Sequence, residues 1–358
     1  MRERIEVVDA LRAFALAGIL QVNIQSFAWG AGDPLGFFAD PPGVIDTVVY
    51  LLVATFVSSK FLSIFAFLFG VGFTLQWRSL RRRLGFDDAR AAYLRRLWFL
   101  LTVGLAHGVL LYYGDILTSY ALVGFLLLRL APRRPAALVA AARRWWLGFA
   151  LLSVTVTAFF ESVRRIVPPH RDAAQVPAFA LERLSLYTQA NYLEQIGARI
   201  ADFGSVLGTT ALLGVPQIMA LFLLGAVAGR LGWLARPQRH PRLWRAATWI
   251  GIAALPFAAA GAWLNFTTFH DSPGDPGSLG YALQNIGSLA ACLYVATFVR
   301  LRQRPMMRRL IAWLAPAGRM ALTNYVAQSV AMGLLLSGWG FGLGASLGRA
   351  ELALLALA

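Results

Sequence analysis

Residues 95–120 read RRLWFLLTVGLAHGVLLYYGDILTSY, and this stretch decides the fold. Arg95 and Arg96 open it, an apolar run follows with His107 near its far end, and Gly114-Asp115 turns the chain back into a second apolar run. At 1.5 Å per residue, the 11 positions from Arg96 put His107 roughly 16 Å into an apolar slab about 30 Å thick. An imidazole and a carboxylate at such depth find no bulk water, so their presence points to function by default. The bland alternatives are a histidine bonded to a backbone carbonyl and an aspartate that only caps the second helix. Gly104 and Gly108 flank the histidine as a small-xxx-small pair that lets a neighbouring helix pack closely beside the ring.

The rest of the chain agrees with a hairpin inside lipid. Of 358 residues, 58% are hydrophobic and 14% charged, against about 25% charged in soluble proteins. The mean hydropathy is +0.61. The fold class expected is an all-α polytopic transmembrane helix bundle with about nine to ten spans and a cytoplasmic N-terminus. A net charge of +16 would suggest nucleic acid in a soluble chain, but here the arginines cluster in short loops between apolar runs, where they face anionic lipid. No nucleic-acid partner is expected. Cys292, the single cysteine, lies in an apolar run, so no intrachain disulfide can form. The apolar stretch within residues 7–29 ends in Gln21-Val22-Asn23 without a small-x-small cleavage site, and the segment reads as a retained first span.

In chain order, residues 9–29 form span one, followed by a loop over 30–43 with Asp33 and Asp40 but no Lys or Arg. Residues 44–77 exceed one perpendicular crossing and divide near Ser58. Spans follow at about 96–113, 115–130, 144–161, 203–231, 244–266 and 281–300, with a ninth up to Trp339 after Pro316 and Gly318 interrupt a short interfacial turn at 310–314. Residues 162–202, with Pro168, Pro169 and Pro177, read as an outer loop with amphipathic segments. The whole chain, 1–358, reads as one integral membrane domain whose C-terminal span, begun in the tail from Gly348, is incomplete. Of 33 Lys and Arg residues, 25 fall in the proposed inner segments and six in the outer ones, which sets the orientation.

Other polar residues join the candidate site by depth. Asn23, near the outer end of span one, is suited to donate to an oxyanion, and Asp115 to orient His107 across the hairpin and raise its basicity. Lys60, the only lysine, falls toward the outer part of its span as a substrate contact or a snorkelling side chain. On the inner side Arg12, Arg95, Arg96 and Arg319 are candidates to grip a phosphorylated ligand, against the plainer role of topology signals touching lipid phosphate. His170, His240 and His270 are too far apart for a metal motif, and no metal is expected.

Four stretches, RIEVVDALRAFALAGILQVNI, KFLSIFAFLFGVGF, GLAHGVLLYYGDILTSYALVG and GRMALTNYVAQS, together resemble the bacterial YeiB-like family, domain of unknown function 418, across nearly the whole chain. That family is distantly similar to transmembrane acyltransferases, among them the lysosomal heparan-α-glucosaminide acetyltransferase and the acyltransferase-three proteins. The resemblance implies transfer of an acyl group from cytoplasmic acyl-CoA, with acetyl-CoA the expected donor, and makes Asn23 the counterpart of an active-site asparagine ending the first span. Three departures stand out. Residues 24–42 contain no histidine, so the acetyltransferase's histidine role either falls to His107 or is absent. Ala13 stands where the family usually has glycine, and the family's last span continues beyond where this sequence stops.

The resulting expectation is a multi-pass protein of the bacterial cytoplasmic (inner) membrane that acylates a small-molecule, glycan or lipid acceptor, with a homodimer as one possible assembly. His107 would be the general base, Asp115 its orienting partner, Asn23 the oxyanion donor, and Arg319 and Arg12, with Arg95 and Arg96, the CoA-phosphate contacts. A transporter or permease using the same polar set as a midplane site or proton relay is the main alternative, and a non-catalytic scaffold the third.

Overall fold

A lone chain segment in lipid must satisfy its backbone hydrogen bonds internally, and helix is the form that does so. The computed structural model describes residues 6–31, 43–130, 133–166, 178–271, 278–302 and 304–358, and among them regular structure is helical throughout, without a strand. The elements are α1 (Glu6–Trp29), α2 (Val44–Phe56), α3 (Lys60–Leu110), α4 (Leu117–Leu130), α5 (Pro135–Ile166), α6 (Ala178–Gln189), α7 (Tyr192–Thr209), α8 (Val215–Leu231), α9 (Pro241–Asp271), α10 (Ser278–Gly287), α11 (Ala291–Leu301), α12 (Pro305–Arg319), α13 (Ala321–Leu336) and α14 (Arg349–Leu355). A π turn, Thr210–Gly214, carries α7 into α8. The loop expected over 30–43 and the prolines of 162–202 fall largely outside the described residues, whereas between the spans placed at 244–266 and 281–300 helix continues to Asp271 and resumes at Ser278.

Six runs among the described residues are long and apolar enough to cross a membrane: Glu6–Trp29, Val44–Leu110, Pro135–Ile166, Tyr192–Leu231, Pro241–Thr268 and Leu279–Leu301. The chain is thus a membrane-embedded, all-α protein, but nine or ten separate crossings are not seen. One reason is length, since α4 and α13 have 14 and 16 residues, about 21 to 24 Å at 1.5 Å per residue. The other is fusion. At 51 residues α3 runs on through the arginine-rich middle, about 76 Å if straight, and breaks only at Gly85. That residue has φ 80° and ψ −168°, a backbone state open to glycine and costly for side-chain-bearing residues.

The exposed faces carry the same message. Leu147, Leu151, Val154 and Phe159 on α5, and Trp249 and Trp263 on α9, all point outward, as expected of surfaces solvated by lipid instead of water. Inside, Leu11, Leu16, Ile64, Leu68 and Val299 knit α1, α3 and α11 into one core. Phe73, Tyr93, Leu97 and Phe222 knit α3 to α8 in a second.

The stretch around Pro316 differs from expectation. Helix is not interrupted there: α12 continues through Pro316 to Arg319. It buries Met307, Ile311, Ala315 and Gly318, a spacing of four, four and three that makes one face, and that face lies on α1. The approach is so close that a Cβ on Gly318 would fall 1.7 Å from the Asp9 carbonyl oxygen. Packing of this face outweighs the one backbone bond that proline removes.

Candidate functional site

The α3–α4 hairpin and α13 meet at His107, which is 2% exposed. Its Nδ1 lies 2.9 Å from Asp115 Oδ1 and its Nε2 lies 2.8 Å from Ser329 Oγ. Asp115 Oδ2 accepts the Thr118 backbone N–H at 2.7 Å. One carboxylate therefore both caps the first turn of α4 and holds the imidazole, so the two roles weighed for it coexist. A carboxylate only accepts, which puts the proton on Nδ1 and leaves the Nε2 lone pair to accept the Ser329 hydroxyl. Ser329 has a second acceptor within reach, the Tyr325 carbonyl one turn back at 3.2 Å.

Glycines make this meeting possible. A Cβ on Gly104 would lie 2.5 Å from the Thr118 nitrogen and 3.0 Å from Asp115 Oδ2, so only glycine lets the start of α4 sit against α3. A Cβ on Gly108 would come 2.6 Å from the Phe203 ring of α7. The end of α3 is tied down by the same helix. Tyr192 donates its hydroxyl to the Leu110 carbonyl at 2.9 Å, and buried Arg199 donates to it as well, placing a cation at the negative end of α3 three residues beyond His107.

Aromatic hydroxyls surround the pair. The Tyr325 ring lies 4.8 Å from the imidazole, and Tyr112 packs edge-on at 6.2 Å. The Ile116 amide approaches the Tyr325 oxygen, yet the Tyr325 hydroxyl and Thr118 Oγ1 are buried without a hydrogen-bond partner. Farther out, Tyr187 donates to Asp202 Oδ2 at 2.9 Å, and Arg183 pairs with Asp202 Oδ1 at 3.6 Å.

The other sequence candidates fall in different places. Asn23 is half-buried on α1 and makes no hydrogen bond among the described residues. It sits one turn before Phe27, which stacks on Tyr112 at 4.4 Å, so its face of α1 borders the cluster. Lys60 is 0% exposed and is bound elsewhere, donating to the Ala54 carbonyl at 2.9 Å and to Gln284 Oε1 at 3.3 Å. Arg12 pairs with Asp9 at 2.9 Å and is near enough to Arg96 for repulsion. Gly318 against Asp9 brings the end of α12, and with it Arg319, to the same pair. Arg95, Arg96 and Arg319 are exposed and form no ion pair among the described residues, which suits them to an anionic group. His240 sits at the start of α9, and the side chains of His170 and His270 lie outside the described residues.

Arginine-lined clefts open in places the sequence reading did not single out. One of about 720 Å³ is lined by Arg78, Arg81, Arg82 and Arg230 with Thr74 and Trp77, and one of about 510 Å³ by Arg129, Arg133 and Arg144 with Trp145. Neither is lined by His107.

Residues 228–358 match the model of a family described as a protein of unknown function, DUF418. The segment contains Tyr325 and Ser329 but not His107. Similarity to individual proteins is longer. The uncharacterized protein YxaH of Bacillus subtilis (strain 168) is 28% identical over 371 residues, covering 95% of this chain and 83% of its own length. The uncharacterized protein YeiB of Escherichia coli (strain K12) is 27% identical over 348 residues, covering 92% and 82%. The chain is homologous to the DUF418/YeiB family. These relatives are bacterial, and none of the matches is to an acyltransferase-three or acetyltransferase protein.

Ser329 and Tyr325 were absent from the sequence candidates. Their signal is modest: Asn324, Gln328 and Ser329 in an otherwise apolar run, with Tyr325 and Ser329 four apart and so on one helical face.

Proposed function

We propose that this chain is a multi-pass acyltransferase-like enzyme of the bacterial cytoplasmic membrane, with His107 as general base. The observation that carries the reading is the Asp115–His107–Ser329 line, which fixes one imidazole tautomer and leaves Nε2 facing a hydroxyl inside the bundle. Asp115 orients the ring, and Asn23 serves as an oxyanion donor from α1. An acyl-CoA, acetyl-CoA first, is the donor substrate, its phosphates held by Arg319, Arg12, Arg95 and Arg96 at the inner end. The acceptor is a hydroxyl or amine of a small molecule, glycan or lipid at the outer side. Lys60, with both described contacts to neutral oxygens, acts as a clip between α2 and α10, and its substrate-binding role is left to mutation.

In this reading residues 1–358 form one membrane domain with the N-terminus cytoplasmic. The α3 break at Gly85 separates two crossings, and α4 and α13 add short ones, which restores a count near nine. Transfer from radiolabelled acetyl-CoA to total membrane lipid and glycan extract by the purified protein tests the reading. Transfer that survives His107→Ala would remove the assigned base.

The same buried His–Asp pair also favours a proton-coupled permease. Substrate uptake into proteoliposomes without covalent change would select that function instead.

A further inference from the structure

We infer that Ser329 is a nucleophile, and that the acyl group rests on its Oγ before passing to the acceptor. The inference builds on the acyl-transfer reading and adds a residue and a covalent intermediate to it.

Three helices supply the parts. The Ser329 hydroxyl on α13 lies 2.8 Å from His107 Nε2 on α3, and His107 Nδ1 lies 2.9 Å from Asp115 Oδ1 at the head of α4. Asp115 is itself fixed by the Thr118 amide at 2.7 Å. A hydroxyl, a base that can take its proton and a carboxylate that orients the base make an activated nucleophile, whatever the fold or chain order.

The competing explanation is ordinary helix packing, in which a membrane serine bonds the carbonyl one turn back. Ser329 has that option at 3.2 Å, but the contact with His107 is shorter. Packing also fails to explain the neighbouring hydroxyls. Buried polar atoms almost always find partners, yet Tyr325 and Thr118 hold theirs open beside the triad. Of the two, the Tyr325 hydroxyl, on the ring 4.8 Å from the imidazole, suits an oxyanion, which needs a donor that the resting site leaves free.

The chemistry balances. Ser329 Oγ bonds to the thioester carbonyl carbon while its proton moves to His107 Nε2. The C–S bond breaks with its electron pair on sulfur, and the Nε2 proton passes to that thiolate, leaving CoA thiol and an ester on Ser329. The acceptor hydroxyl or amine then attacks the ester carbonyl and gives its proton to Nε2. The C–Oγ bond breaks, and the proton returns to Oγ.

Full-length protein in nanodiscs is treated in two arms, one with a fluorophosphonate probe and one with radiolabelled acetyl-CoA in the absence of acceptor, and the Ser329 peptide is read by mass spectrometry. Both arms should label Ser329 in wild type and lose the label in Ser329→Ala and His107→Ala, and the acetyl-CoA arm should give a hydroxylamine-labile thioester in Ser329→Cys. Thermal melting checks that the variants are folded. Fluorophosphonate labelling of Ser329 without acetyl labelling upholds the nucleophile and overturns acetyl-CoA as donor. Acyl transfer retained within about threefold by folded Ser329→Ala, or no label on Ser329 in either arm, overturns the inference, and the first of these leaves acyl transfer standing.

Discussion

Lys60 and His107 stand at opposite ends of α3, both sealed from solvent, yet their surroundings differ in kind. Lys60 meets two neutral oxygens, the Ala54 carbonyl in the last turn of α2 and the Gln284 amide of α10. A cation at the negative end of a helix is a known way to stabilise a helix terminus, so its environment is complete as packing. His107 instead meets an acid and a hydroxyl from two other helices, with two further hydroxyls left open beside it. Burial of a titratable side chain alone does not mark a site. A graded line of acid, base and hydroxyl with unfilled donors does.

The sharpest way to break this comparison is His107→Ala, expected to lower transfer by about 10²- to 10⁴-fold in the labelled-donor assay, the range for losing a general base. Next comes Asp115→Ala, which strips α4 of its cap and leaves a buried imidazole unpaired. A loss of about 2–4 kcal/mol is expected in chemical denaturation, about 1 for the cap and about 1–3 for the orphaned buried N–H. A loss near 1 kcal/mol would mean that the carboxylate is only a cap. Gly104→Ala follows, since its Cβ meets the Thr118 nitrogen at 2.5 Å and backbone must move. About 1–3 kcal/mol of overpacking is expected, with slower transfer as Asp115 is displaced. Lys60→Met is expected to do least to transfer, although stability should fall by about 1–3 kcal/mol as the buried Ala54 carbonyl and Gln284 amide lose their donor. Transfer should stay within about twofold, and a larger loss would return Lys60 to the substrate site.

Much of this was readable before any coordinates. Sparse charge and arginine-punctuated apolar runs are enough to place the chain in lipid, and GLAHG followed by GD marks the hairpin where a histidine and an aspartate can meet. Both belong to local sequence, eight residues apart. Ser329 was out of reach because it lies 222 positions from His107, and a serine in an apolar helix usually means no more than a bond to its own backbone. Depth placed Lys60 beside His107, but depth says nothing about which way a helix faces, and Lys60 faces α10. The span count suffered from a related limit. Hydropathy cannot tell that Gly85 is the only break in α3, nor that packing against α1 carries α12 through Pro316.

The most direct measurement is the transfer rate of Asp115→Asn beside its melting temperature. The amide oxygen can keep the Thr118 bond, so melting should stay within a few degrees. A mis-set imidazole should slow transfer by about 10²-fold or more, as expected when the orienting acid of a triad is neutralised. A folded Asp115→Asn protein that transfers at the wild-type rate would contradict the central role given to the His107–Asp115 pair.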